Sequence, residues 1–244
     1  MSIDALWSKG PIVVQTAAAT TINLDGIRDI SVDPAAAEQM ETAGGQVFAS
    51  HVSIREQQPV LNVTLTDIAT FLGTIGLTGF EITSTGSASP TDLYLTQKGA
   101  TGIVTGSSHF RVRVNKGGIY PQSITWSQGQ PATLSAVFSA TYDGTNEPFA
   151  YTGSVALPHT PSIDELFYGG KVVVNGTELE SPQSVTINFG NTVETIADSG
   201  HVWPEFVGLI MSQPTIDITT KGGDDLNTFG LDGTAQGATY SLIY

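Results

Sequence analysis

An all-β fold is what this sequence predicts, and three observations predict it. Short runs rich in Val, Ile, Thr and aromatics recur between Gly, Pro, Asn and Asp turns. Long helical periodicity is absent. One β-rich stretch also recurs at a fixed offset later in the chain, which predicts duplicated β-sandwich or barrel units with a few short helices.

Taken along the chain, the first local signal is helical. Asp33-Pro34 ahead of Ala35 to Glu41 supplies an N-cap, a first-turn proline and good helix formers, stopped by Gly44-Gly45. Asp67 is placed to cap a second short helix over 68–72, and Ser162 a third over 163–168 with Asp164 and Glu165 in its first turn. The clearest strand is Phe110-Arg111-Val112-Arg113-Val114, with three apolar side chains on one face and two arginines on the other. Further strands are expected at 123–126, 133–141, 151–156, 172–174, 185–189 and 215–219. Asp143-Gly144 and Asn175-Gly176 follow such runs and tolerate the positive φ of hairpin turns.

The repeat is the most informative feature. Residues 72–79 match 226–233 with five identities in eight positions at an offset of 154. Upstream, 24–64 pairs without gaps with 179–219 at an offset of 155, with identities that include Val47/Val202, Gln58/Gln213 and Pro59/Pro214. A partial third echo lies between the copies: Pro121-Gln-Ser-Ile-Thr125 resembles Pro182-Gln-Ser-Val-Thr186, and Gln130-Pro131 precedes a strand as Gln58-Pro59 and Gln213-Pro214 do. This organisation predicts a first β unit over 1–100, then a β-rich insert and second β unit over 101–244, as separate units or one continuous domain.

Composition points to assembly. Hydrophobic residues make up 40% of the 244 and charged residues 13%, about half the usual share. Charged side chains keep a lone surface solvated, so a folded chain this poor in them is expected to bury surface against partners. The 23 acidic residues outnumber the 9 basic ones for a net charge of −14, which repels phosphate and excludes tight DNA binding. No cysteine is present, so disulfides and thiolate metal sites are excluded. Met1 to Trp7 lacks a basic start ahead of an apolar core, and the longest strongly apolar run, 206–211, is too short for a membrane span. The expectation is folding in the cytoplasm with no membrane partner.

Catalytic chemistry is not expected. His51, His109, His159 and His201 are scattered, without metal-ligand spacing, and read as surface or turn residues. No nucleophile elbow, phosphate loop or dinucleotide fingerprint occurs. Asp217, Asp224, Asp225 and Asp232 match no calcium-loop pattern and read as solvated loop acids. Trp7, Trp126 and Trp203 read as core or interface anchors ahead of a sugar-stacking platform. No cofactor and no metal are expected.

Two stretches are candidates for contact with partners. Trp203, Phe206, Val207, Leu209, Ile210 and Met211 belong to a nearly wholly apolar run whose counterpart in the first copy carries His51, Arg55 and Glu56. It is expected either as a face covered by a neighbouring subunit or as a buried strand. Arg111, Arg113 and Lys116 hold three of the nine basic residues and offer a mate for an acidic face of the next subunit, or an ordinary solvated strand face.

The cysteine-free acidic chain, the duplicated Thr/Val/Gly-rich β unit and the short helices resemble the tail-tube family of long-tailed phages and related tube-like virion proteins. The resemblance implies a virion structural protein, a tail subunit folded in the host cytoplasm. Its partners are itself, in rings that are hexamers or pseudo-hexameric trimers, and other tail proteins. Genome DNA passes through the stacked rings without specific binding. A distal tail, baseplate or capsid decoration protein is the alternative within that class, and a carbohydrate-binding β-sandwich adhesin the alternative outside it.

Overall fold

The computed structural model describes residues 6–221 except 16–20, 34–35, 42–50, 83–89, 100–101, 105, 163–165, 175, 180–181 and 198–199. In chain order the strands are β1 (Leu6–Gln15), β2 (Thr21–Leu24), β3 (Ile27–Asp33), β4 (Ala36–Glu41), β5 (His51–Gln57) and β6 (Val60–Leu65). Helix α1 (Ile68–Ile75) follows. Then come β7 (Phe80–Ile82), β8 (Thr91–Gly99), β9 (Gly102–Ile103), β10 (His109–Val114), β11 (Gly117–Ser127), β12 (Thr133–Ala140) and β13 (Phe149–Val155). The last group is β14 (Val173–Val174), β15 (Thr177–Glu178), β16 (Pro182–Asn188), β17 (Asn191–Ile196), β18 (Phe206–Ser212) and β19 (Thr215–Thr220).

The fold is all-β, and α1 is the one helix among the described residues. One antiparallel sheet runs β13-β10-β8-β1-β2, and the other runs β19-β16-β11-β12-β6-β3, with β7 paired to the start of β11. Strands from 1–100 and from 101–244 share the second sheet. Its β6, β11 and β12 and helix α1 close one core with the first sheet, where Ile12, Leu65, Phe71, Leu134 and Phe138 are all buried. A smaller cluster, Val172, Val174, Leu179 and Val185, lies under β16.

The duplication is visible strand by strand. Adding 155 to the bounds of β3, β4, β5 and β6 gives those of β16, β17, β18 and β19. The registers coincide as well. Ile30 faces Val63 and Val32 faces Leu61 in the first copy; Val185 faces Ile218 and Ile187 faces Ile216 in the second. Both hairpins carry a bulge at the same place, with Arg28 and Gln183 as the extra residues.

The third echo belongs to the same pattern. In β11–β12, Pro121 faces Ala136 and Ser123 faces Ser135, so Gln122 is the extra residue of a bulge at the equivalent position. Three bulged hairpins therefore stand side by side in one sheet, and each is rotated by half a turn in the plane of the sheet relative to its neighbour. At the β11–β16 junction Thr125 faces its own counterpart Thr186, and at the β12–β6 junction Ser135 faces its counterpart Thr64. Pro121 and Pro182 each stand beside the bulge, where the ladder is locally disrupted and a missing N–H is tolerated.

Local expectations meet the structure unevenly. The strands near 110, 123, 133, 151, 172, 185 and 215 are present, and the helix expected at 68–72 extends to Ile75, but the Asp67 side chain does not cap it and instead accepts the amides of Asp25 and Gly26. Asp143 accepts the amides of Thr145 and Asn146 in the expected turn, where Gly144 has a φ of 93°. The helix expected over 35–41 is a correction: Ala36–Glu41 is β4, paired with β5 in the register that β17 keeps with β18. Hairpin pairing outweighs the intrinsic helical preference of Ala, Gln and Met there. The helix over 163–168 is also absent at 166–168, where Tyr168 bridges Pro131; 163–165 lie outside the described residues. So does 226–233, the second half of the short repeat.

The two cores predict different sensitivities. Leu134→Ala opens a hole in the closed core and is expected to cost about 2–5 kcal/mol in urea denaturation. Ile218→Ala, at the half-covered second cluster, is expected to cost about 1 kcal/mol or less.

Candidate functional site

The outer face of the β19-β16-β11-β12-β6-β3 sheet is built by strand parity. Leu61, Val63 and Leu65 on β6 and Leu134, Ala136 and Phe138 on β12 point into the core, which sends the alternate residues outward. One row crosses all six strands: Thr215, Asn188, Ser123, Ser135, Thr64 and Asp29 face one another in turn. The neighbouring row holds Asp217, Thr186, Thr125 and Thr133. Hydroxyl and amide side chains satisfy each other along these rows: Thr125 Oγ1 lies 3.2 Å from Thr186 Oγ1, and Asn188 Nδ2 donates to Asp217 Oδ2 at 2.8 Å. Acids sit at both flanks, Asp217 on β19 and Asp29 and Asp33 on β3, while Arg28, a bulge residue, stands at one end of the face. These two rows contain no lysine or arginine.

A second surface is the β17–β18 hairpin, which we call the arm. It leaves the sheet at the end of β16 and runs along the rim formed by the start of β11, the end of β12 and the start of β6. Asn191 Nδ2 donates to the carbonyls of Leu77 (3.0 Å) and Pro121 (2.8 Å). Lys116 Nζ donates to the Glu205 carbonyl (2.7 Å), Tyr142 N to Pro204 (2.8 Å) and Gln57 N to Val202 (2.8 Å). Trp203 Nε1 donates to Gln57 Oε1 at 2.9 Å, and its ring lies 5.7 Å from that of Tyr142. The second copy's arm is thus bolted, within one chain, onto the β11–β12 hairpin through Lys116, Pro121 and Tyr142 and onto the first copy through Gln57 and Leu77.

The six apolar residues singled out in this stretch therefore divide. Trp203 and Val207 face inward, with Val207 buried, and Leu209 is half-buried. Phe206, Ile210 and Met211 are 52%, 61% and 45% exposed, and Ile196, paired with Phe206, is 55% exposed. The three basic residues are engaged within the chain. Arg113 grips Asp92 with two bonds of 2.6 and 2.8 Å, Arg111 Nη1 lies 3.7 Å from the same carboxylate, and Lys116 holds the arm. The hydrogen bond to Asp92 raises Arg113 above its ordinary pKa despite the burial that lowers it. Burial, with the Asp92 charge, raises Tyr94.

Neither a family model nor a curated protein matches the chain.

The remaining candidates are distributed. His109 is a correction, buried at 1% exposure with its Nδ1 accepting the Gln97 amide at 3.1 Å; as a β10 residue facing β8 it is core, not turn. His159 pairs with Asp25 at 2.6 Å, and His201 stacks near Tyr142 at 5.0 Å. His51 lies on β5, its side chain outside the described residues. Of the four clustered acids only Asp217 is described, and among the described residues no group of three or more His, Asp or Glu is placed to hold a metal. Trp126 packs against the core, so close to Gly169 that a Cβ there would meet its ring at 2.1 Å. With Trp203 on the arm, these two indoles form no shared exposed platform. No helix among the described residues is long and apolar enough to cross a membrane.

Sequence reading missed the crosswise hydroxyl rows and the bolts of the arm. The first had a signal: Ser123-Ile-Thr-Trp-Ser, Ser184-Val-Thr-Ile-Asn and Thr215-Ile-Asp-Ile-Thr all alternate a polar residue with an apolar one.

Two predictions follow from the arm. Trp203→Ala removes a hydrogen bond and a ring contact at its tip and is expected to raise amide exchange at Gln57 and Tyr142 by tenfold or more, with the core amides unchanged. The second concerns Asp143, whose turn sets Tyr142. Burial works to raise its pKa, but the bonds from Asn146 and Thr145 and the Lys116 charge prevail and hold it below the ordinary value. A depressed carboxyl stabilises the fold above about pH 4 and loses that contribution as the pH falls through its folded value. Asp143→Ala is accordingly expected to lower stability at pH 7 and to flatten the acid side of a stability–pH profile below pH 4.

Proposed function

We propose that this chain is a virion structural protein, a phage tail tube subunit whose copies join edge to edge into rings that stack as a DNA conduit. The observation that carries the reading is the hydroxyl and amide face of the β19–β3 sheet, flanked by Asp217, Asp29 and Asp33. On this reading that face lines the lumen. A duplex carries about one phosphate charge per 1.7 Å, and rows that hold no lysine or arginine, with Arg28 at one end outnumbered by Asp29, Asp33 and Asp217, release few counterions and hold it weakly. The net charge of −14 acts in the same direction.

Ring closure is supported by the sheet's ends. Among the described residues β3 and β19 each pair on one side only. Six alternating strands place them in opposite directions, so β3 of one copy beside β19 of the next continues the antiparallel order. Such a head-to-tail contact closes into a ring or propagates as a filament according to its rotation. The subunit would fold in the host cytoplasm and end in the virion tail.

Negative-stain microscopy and mass photometry of the purified chain are expected to show rings or tubes with an open channel. A stable monomer at high micromolar concentration defeats the proposal. The lumen assignment has its own check: Asp29→Lys, Asp33→Lys and Asp217→Lys together are expected to leave assembly intact and to create duplex binding that weakens steeply with salt, where the parent binds none.

A further inference from the structure

The arm and one other exposed apolar patch lie at opposite ends of the same strands. Phe206, Ile210, Met211 and Ile196 sit on the arm, at the rim where β11 begins. At the far end of β11, beside the β11–β12 turn, Leu166, Phe167 and Tyr168 are 42%, 43% and 60% exposed. The backbone of this ledge is fixed: Ala132 N donates to the Phe167 carbonyl at 2.7 Å, and Tyr168 bridges Pro131. The rims are the length of β11 apart, ten residue steps of about 3.3 Å, or about 30 Å.

We infer that the chain binds further copies of itself end to end along the strands, with the arm of one copy seated on the Leu166–Phe167–Tyr168 ledge of the next. Three arguments select a second copy as the occupant. The hairpin does not need the arm's apolar face to fold, because the first copy's β4–β5 pairs in the same register with His51, Arg55 and Glu56 at the positions of Phe206, Ile210 and Met211. Copies that each carry −14 repel at range, so close association depends on apolar contact, which both patches offer. Finally, a two-fold that pairs arm with ledge has to lay the two copies antiparallel side by side, whereas a head-to-tail contact pairs them between copies that point the same way, as copies in stacked rings do, and repeats without limit. The inference deepens the tube reading: it supplies the axial contact between rings.

The test uses two full-length variants, Tyr168→Glu and Phe206→Lys, viewed by negative stain and weighed by mass photometry. Each blocks one end only, so each alone is expected to give single rings where the parent gives many-ring tubes. An equimolar mixture is expected to give two-ring stacks and nothing longer, because one free ledge meets one free arm. Tubes of parental length from either variant, or a mixture that stays as single rings, overturn the axial contact and leave the tube reading standing. A parent that remains monomeric overturns both. Circular dichroism and melting unchanged from the parent establish folding, and Ile210→Lys, at another exposed arm position, replaces Phe206→Lys if that variant melts early.

Discussion

The register of the three bulged hairpins is the constraint on which the rest depends. A strand's side chains alternate with a period of two, so a slip of one residue would send every aliphatic of that strand to the outer face and every hydroxyl into the core. The bulges at Arg28, Gln122 and Gln183 stand at equivalent positions and leave each hairpin with the same parity beyond them. Because Thr125 meets Thr186 and Ser135 meets Thr64 at the junctions, the parity carries across hairpin boundaries. The buried row under β6 and β12 and the polar rows above them are two sides of one choice.

That register also decides where the arms leave. β3 and β16 end at the same rim of the sheet, since the hairpins are related by turns about axes perpendicular to it, and each continues into a two-stranded arm. The arm that follows β16 has further strands of its own chain beside it and is tied to Lys116, Tyr142 and Gln57. The arm that follows β3 leaves from the end of the sheet. Two arms with one hydrogen-bond pattern thus meet different surroundings, and their side chains have parted accordingly: aliphatic and aromatic on one, ionic on the other. This is how a gene duplication yields unequal surfaces from equal backbones.

How much of this the sequence reveals depends on the range of the interaction. The duplication was legible to the residue, because matching positions keep their apolar period even where identity is low, as in Ile30/Val185 and Leu61/Ile216. The third hairpin showed itself through Pro121-Gln-Ser and Pro182-Gln-Ser, both of which mark the bulge. The misread helix at 35–41 has the composition of a helix and the fold of a hairpin; only its pairing with β5 decides between them. The bond from Trp203 to Gln57 spans 146 positions, and nothing local at either residue announces it. The same holds for Asp92, which grips Arg111 and Arg113, a pair expected either to mate with an acidic face of the next subunit or to form an ordinary solvated strand face.

On the conduit reading, the choice of hydroxyls over carboxylates across the middle of the sheet has a physical sense. A wall of ionised acids would repel DNA but would also repel itself: neighbouring strands lie about 4.8 Å apart, so each crosswise row would set like charges side by side. Serine, threonine and asparagine avoid that cost because each both donates and accepts, so they bond to one another along the row, as Thr125 does with Thr186. The acids are left to the flanking strands, where Asn188 donates to Asp217. A field extends over about one Debye length, roughly 8 Å at physiological salt, so a few acids per subunit, repeated around a ring, reach across much of the wall between them. The polar rows thus keep the surface hydrated and carry no cation of their own, and the flanking acids, which outnumber Arg28, supply the sign of the potential.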